Sequence, residues 1–385
     1  MPFTEILFER MLPINAAIQK LALYEFHFAL ENLYPETGWD SIELDKEEEI
    51  ERVISQRDFY DAIQTKPRLN DRIVLDESIA RLTRMLFAGL VRGEYSQAWV
   101  NRRFYFDVRG FYFLPRTIYF TEAGLAHLGG KPIRCFEACQ KQFEHVQDIG
   151  YWDFMAANAE IDQALIESIQ KLIEVRGTPI LITLAGPTAA GKTEIVERLL
   201  DTFEKICKKI TTIEMDNFLL DRDFRDNKSM GIESIHFELF MRSLDELLQG
   251  RKITIPRYDS LSASSSHDLQ GNLKAGCTPL EIEPADIIIL EGNFPFQMEE
   301  IAGLIGLKIV YLTDDPVRLK RKWKRDIDYR KNYDPAHFRN RFFKTQFLRA
   351  EDCYRPQIEK CDLVVDTTSA ALWATPEIAG ILNKD

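Results

Sequence analysis

The chain has 385 residues, too many for one ordinary hydrophobic core, so two domains are the natural expectation. Its apolar share of 45% and charged share of 29% suit a soluble globular protein, and no apolar run approaches the ~18 residues that span a bilayer, which excludes an integral helical membrane protein. A net charge of −12 argues against nonspecific nucleic-acid binding as the main activity.

The segment Met1 to Arg10 carries acids where a secretory leader would carry lysines, and no small-residue cleavage site follows, so an untargeted, cytoplasmic chain is expected. Helical patterns at 12–33, 46–64 and 76–92 lead to an aromatic stretch, Arg103 to Leu114, that reads as a hairpin turning near Gly110. Both faces of that stretch are apolar, which favours core strands over an exposed partner surface. Cys135 and Cys139 lie four apart with His145 beyond, but no fourth ligand completes a zinc set; two small apolar residues on one helix face is the preferred reading. The six cysteines, at 135, 139, 207, 277, 353 and 361, are scattered as reduced thiols would be.

A long amphipathic pattern over 154–176 ends at Gly177, and Pro179 opens a strand. A boundary is therefore expected here, between a mostly helical α+β N-terminal domain (1–153), which shows no catalytic constellation, and a second domain (154–385). Downstream, strands are predicted at 179–185, 209–215, 252–256, 286–290, 307–313 and 362–366, with helices between most of them. That alternation predicts an α/β fold: a parallel sheet of the P-loop NTPase type with helices on both faces, its ligand beyond the carboxyl ends of the strands.

Between the first strand and the helical spacing of Ile195, Leu199, Leu200 and Phe203 stands Gly186-Pro187-Thr188-Ala189-Ala190-Gly191-Lys192-Thr193, a complete G-x-x-x-x-G-K-[ST] motif. Its glycines let successive N–H groups curl round one anionic centre, while Lys192 reaches the outer phosphates and the Thr193 hydroxyl a magnesium ion. The ligand class is a nucleoside triphosphate.

The residues after the loop carry the choice among kinases, GTPases, motors and transporters. The second strand ends at Asp216-Asn217-Phe218; a carboxylate there can deprotonate an acceptor hydroxyl or assist magnesium through water, or it can simply form a turn. The apolar run Asp286 to Leu290 ends in Glu291-Gly292, placing a second carboxylate where it can hold a magnesium water. A charge run follows at Arg318, Lys320, Arg321, Lys322, Lys324, Arg325, Arg330 and Lys331. On a helix, positions 318, 321, 322 and 325 share a face and can close over a triphosphate; a solvated basic helix is the plainer alternative.

In this order the elements resemble the phosphoribulokinase/uridine kinase family of P-loop small-molecule kinases over roughly residues 178–368. The carrying pieces are the phosphate loop, Asp216-Asn-Phe218, Gly250 through Ile255-Pro-Arg-Tyr-Asp259, Glu291-Gly292, and Arg318 through Asp326. The resemblance implies Asp216 as base, Thr193 and Glu291 at magnesium with help from Asp216, Arg318, Arg321, Lys322 and Arg325 as phosphate-clamping lid cations, and Phe218 and Tyr258 on the acceptor side. Departures concern the acceptor. Leu219 stands where uridine kinases usually carry tyrosine and is similar to bacterial pantothenate kinases. The position of a base-reading histidine is Ala263, with His267 out of register. Gly231 to Ile235 replaces a histidine-proline-aspartate segment, with Glu233 as the substitute acid.

The expected activity is ATP- and Mg2+-dependent phosphorylation of a small-molecule hydroxyl, with a nucleoside or other sugar-like alcohol as acceptor. The alternatives are a pantothenate or glycerate kinase, or a regulatory nucleotide-binding protein. The expected partner is the small-molecule substrate, with neither nucleic acid nor membrane, and homo-oligomerisation is left open.

Overall fold

The computed structural model of the chain describes residues 3–146, 148–206, 208–225, 231–328 and 335–384. Arg330, Lys331 and Cys207 lie outside the described residues. Two compact units form, and neither is a contiguous stretch: one comprises Met1–Ile118, Gln140–Gly150 and Asp314–Ala350, the other Tyr119–Cys139, Tyr151–Thr313 and Glu351–Asp385.

The second unit is built on a seven-stranded sheet. Its strands are β1 (Arg134–Cys135), β2 (Ile180–Ala185), β3 (Ile210–Glu214), β4 (Ile287–Gly292), β5 (Leu307–Leu312), β6 (Leu363–Asp366) and β7 (Ala371–Ala374), in the order β1-β7-β6-β5-β2-β4-β3. The five strands β6, β5, β2, β4 and β3 run parallel, and β7 and β1 add an antiparallel edge. Strand β2 is buried at all six positions, as its unbroken apolar run requires when both faces are covered. On one face Ile180, Ile182 and Leu184 join Ile287, Ile289, Ile309 and Val365 against helices Ala159–Arg176, Lys192–Lys205 and Pro376–Leu382. Ile161, Leu165, Ile169 and Leu172 give the first of these helices its buried stripe, and Gly177, at φ +82°, ends it. Each such side chain contributes about 1.5–3 kcal/mol on burial.

Three sequence expectations need correction. Residues Ile253–Ile255 do form a strand, but it pairs antiparallel with Leu280–Ile282 in a separate ribbon outside the main sheet. The helical pattern 154–176 is two helices, Tyr151–Ala157 and Ala159–Arg176, broken at Asn158. Cys135 is in strand β1 and Cys139 opens a 3-10 turn, so they do not share a helix face. The five described cysteines carry free thiols.

In the first unit, helices Phe3–Met11, Leu23–Leu33 and Glu77–Arg92 pack on the hairpin Phe104–Asp107 and Tyr112–Pro115, whose turn contains Gly110. Phe104, Phe106 and Phe113 are buried, so the aromatic stretch is core. Helices Asp315–Asp328 and Pro335–Arg349 belong to the same unit: Leu319, Phe342, Phe343 and Phe347 pack with Tyr60, Ile63, Ile79 and Tyr105. Among the described residues no helix is long and apolar enough to cross a membrane.

Candidate active site

Residues 186–191 leave the end of β2 and run into helix Lys192–Lys205. The loop's conformation explains its composition. Gly191 has φ +111°, in the region that favours glycine, and a Cβ there would come within 2.7 Å of the Phe154 ring; one on Gly186 would overlap the Tyr311 carbonyl. Ala189 also holds a positive φ, +60°, so the turn is over-determined by its surroundings. Lys192 is nearly buried, and its Nζ donates to the carbonyl oxygens of Gly186 (3.0 Å) and Pro187 (3.2 Å), curling back along the loop.

Carboxylates gather at the ends of the neighbouring strands. Glu291 on β4 lies in register with Leu184 on β2 and Glu214 on β3, and its Oε1 accepts from the Thr193 hydroxyl at 3.4 Å. Burial pushes the Glu291 carboxyl up to about 7; Lys192 opposes that rise, while Glu214 and Asp216 reinforce it. Glu214 is likewise raised, first by desolvation and then by Asp216. Asp216 is exposed on the 3-10 turn Met215–Phe218. The carboxylates raise one another's proton affinity, a repulsion that a divalent cation would relieve, and a magnesium ion, which keeps several waters, is held through as few as one or two carboxylates. Among the described residues no group of three or more His, Cys, Asp or Glu is placed to hold a metal ion.

The acceptor-side candidates follow the same turn. The Asn217 side chain accepts from the Tyr258 backbone N–H at 3.3 Å, and the Tyr258 hydroxyl accepts from Arg225. Phe218, in contrast, is fully buried, edge-on to Phe240 at 5.1 Å, and shapes the turn from beneath. Glu233 is exposed in the turn Ile232–Ser234. Ala263 is buried at φ +57°, and its carbonyl accepts from the Arg222 N–H at 3.0 Å. His267 is also buried and bonds Ser266 at 2.9 Å.

The four lid candidates are on helix Asp315–Asp328, in the unit that holds the N-terminal segment. Arg318 is not presented to solvent as a clamping cation would be. It has no exposed surface, pairs with Asp315, bonds the Gln346 Oε1 at 2.6 Å and lies over the Phe342 ring. Lys322 pairs with Asp326 at 2.5 Å; Arg321 is half-buried, and Arg325 is exposed with its Nε 3.8 Å from Asp326.

A sequence model of the phosphoribulokinase/uridine kinase family matches residues 181–373, about half of the chain. The chain belongs to this family. Uridine kinases within it are similar in sequence. That of Streptococcus agalactiae serotype V is 29% identical over 162 residues, covering 40% of this chain and 72% of that protein. That of Clostridium novyi is 31% identical over 158 residues, covering 40% and 70%. Among solved structures, D-glycerate 3-kinase from Cryptococcus neoformans var. grubii aligns over 55% of this chain and 97% of its own, at 13% identity and a TM-score of 0.39. Kinase is the activity class this family membership supports. The family match takes in the phosphate loop, Asp216, Glu291 and helix Asp315–Asp328, and leaves out helices Tyr151–Ala157 and Ala159–Arg176.

Glu214 and Asp162 were not singled out from the sequence. Glu214, two residues before Asp216 at a predicted strand end, was legible by the argument used for Glu291. Asp162 was not: in a helical pattern with Glu160 and Glu167 nearby it reads as one more solvated acid, yet it is 1% exposed.

Proposed function

We propose that the chain is an ATP- and Mg2+-dependent kinase that phosphorylates a hydroxyl of a small molecule, a nucleoside or other sugar-like alcohol. The observation that carries this reading is the convergence of Lys192, Thr193, Glu214, Asp216 and Glu291 at the carboxyl ends of β2, β3 and β4. The loop's N–H groups and Lys192 would hold the donor phosphates in place. Thr193 and Glu291 would hold magnesium, with Asp216 assisting through water; the ion would neutralise charge on the transferring phosphoryl group. Asp216, exposed at the strand exit, would take the proton of the attacking hydroxyl as the new P–O bond forms and ADP leaves. Tyr258 would contact the acceptor, and Glu233 would supply the acid of the departed histidine-proline-aspartate segment. Arg321, Lys322 and Arg325 would supply the lid's charge, with Arg318 holding their helix in its unit.

A second acceptor class, a glycerate- or pantothenate-like alcohol, is favoured by Ala263. A buried methyl in place of an imidazole offers no hydrogen bond to a base, and a pocket lacking such a partner loses base discrimination. The test is ADP release from ATP and magnesium with separate pools of nucleosides, pantothenate, glycerate and sugar phosphates, beside Asp216→Asn. Acceptor-stimulated release that needs Asp216 supports the kinase and names its class. ATP binding with no stimulation by any pool would instead support a regulatory nucleotide-binding protein.

A further inference from the structure

The phosphate loop rests on strand β5 and, through it, on a helix that precedes the family match. The end of β5 grips it in three places. The Tyr311 carbonyl abuts Gly186, the Tyr311 ring stands 3.2 Å from where a Cβ on Gly191 would be, and the Thr313 hydroxyl donates to the Ala190 carbonyl at 2.6 Å. Tyr311 is 1% exposed, and its own position is set by one polar contact: its hydroxyl donates to the Asp162 Oδ1 at 2.6 Å. The second Asp162 oxygen faces the Arg198 Nε at 3.6 Å, and Arg198 belongs to the helix that the loop opens. Asp162 thus joins the strand beneath the loop to the helix beyond it.

A carboxylate buried in an apolar layer is costly, and an apolar side chain of similar volume would fill the same space without that cost. What the carboxylate adds is direction. It fixes the rotation of the Tyr311 ring, and so the surface on which a loop with two positive φ values is held. We propose that Asp162 is a positioning residue for nucleotide binding, shaping the phosphate loop through Tyr311 from a helix that precedes the family-matched residues. This rests on the reading of residues 186–193 as the ATP site. The charged and titratable groups facing Asp162 are Tyr311 from β5 and Arg198 from the loop helix; burial, opposed by both, pushes its carboxyl up to about 6.

The test uses the full chain and three variants, Asp162→Leu, Asp162→Asn and Tyr311→Phe. The readouts are MgATP affinity by calorimetry and amide exchange of residues 186–191 in nucleotide-free protein. Asp162→Leu and Tyr311→Phe should weaken MgATP by about tenfold or more, as displaced binding groups do, and speed loop exchange while leaving the sheet protected. Asp162→Asn, which keeps an acceptor for the Tyr311 hydroxyl, should restore most of the affinity. In the wild type, loop exchange corrected for intrinsic rates should quicken as pH rises toward and through about 6, because burial favours the protonated carboxyl and opening relieves the ionised one; the Asn variant should lack this step. Wild-type affinity and loop exchange in Tyr311→Phe, or an Asn variant no better than Leu, would overturn the proposal. A wild-type chain that binds no MgATP would overturn the ATP-site reading instead, and the exchange data would still decide whether Asp162 shapes the loop.

Discussion

The buried ion pairs of the N-terminal unit and the carboxylates at the strand ends of the sheet unit are arranged in opposite ways. In the N-terminal unit buried charges close on each other: Arg318 pairs with Asp315, and Arg339 with Asp107 at 2.6 Å beneath Trp323. In the sheet unit, Glu214, Asp216 and Glu291 crowd together at strand ends, so that the pKa of Glu291 and of Glu214 rises. Like charges gathered at strand ends are unfavourable without a counter-charge, which makes those strand ends the candidate binding place. Of the charge run, Arg318 is consumed within its own unit, while Arg325 stays exposed.

The sharpest way to break this comparison is at the loop. Lys192→Ala should abolish acceptor-stimulated ADP release and weaken ATP binding; normal activity in that variant would remove the phosphate-loop argument altogether. Asp216→Asn should keep ATP affinity while turnover drops by about a hundredfold or more, the lower range for a lost general base. Near-wild-type turnover would make Asp216 a turn residue.

In the other unit the expected effect is on stability. Asp107→Ala would strand the buried Arg339 and cost about 3–5 kcal/mol in denaturant unfolding, whereas the double variant Asp107→Leu/Arg339→Met should recover most of that loss. A mild single-variant effect would mean the pair is not closed as described. Removal of residues 1–153 should leave Leu319, Phe342 and Phe343 without Tyr60, Ile63 and Ile79, and the remaining chain should aggregate. A monodisperse, cooperatively unfolding product would show that the sheet unit and its attached helices do not need the N-terminal segment.

The smallest expected effect is the pH dependence of Glu291. Its carboxyl titrates near 7 in the fold against an ordinary 4.5, so between those values the folded chain keeps a proton that the unfolded chain has lost. Stability without magnesium should therefore fall as pH rises from 4.5 to about 7 and level off above. Magnesium requires the carboxylate, so its apparent affinity should rise with pH through the same window. Glu291→Gln should flatten both trends in thermal melts and magnesium titrations; a slope unchanged in that variant would assign it to another group.

Much of the site was legible because it is made of local patterns. The loop motif, the apolar runs of β2 and β4 and the acids at strand ends each depend on residues a few positions apart, and the pairing of β2 with β4 then brings the Thr193 hydroxyl to Glu291. The strand at Ile253–Ile255 was legible as a strand but not as a ribbon, since apolar alternation does not name the partner. Glu214 was passed over although it ends a strand as Glu291 does. The charge of Arg318 was read from its neighbours in sequence, while its burial depends on Gln346 and Phe342, residues on another helix.

By itself the sequence determined the nucleotide loop, the five parallel strands of the sheet, and the family to which they belong, because turn chemistry and periodic burial act over short stretches of chain. Only the tertiary structure decided that residues 314–350 join the N-terminal unit, that Phe218 is core, and that Asp162 lies beneath the phosphate loop. Those outcomes turn on which distant side chains share a buried volume. That volume is fixed by packing many elements at once, and no single stretch of sequence carries it.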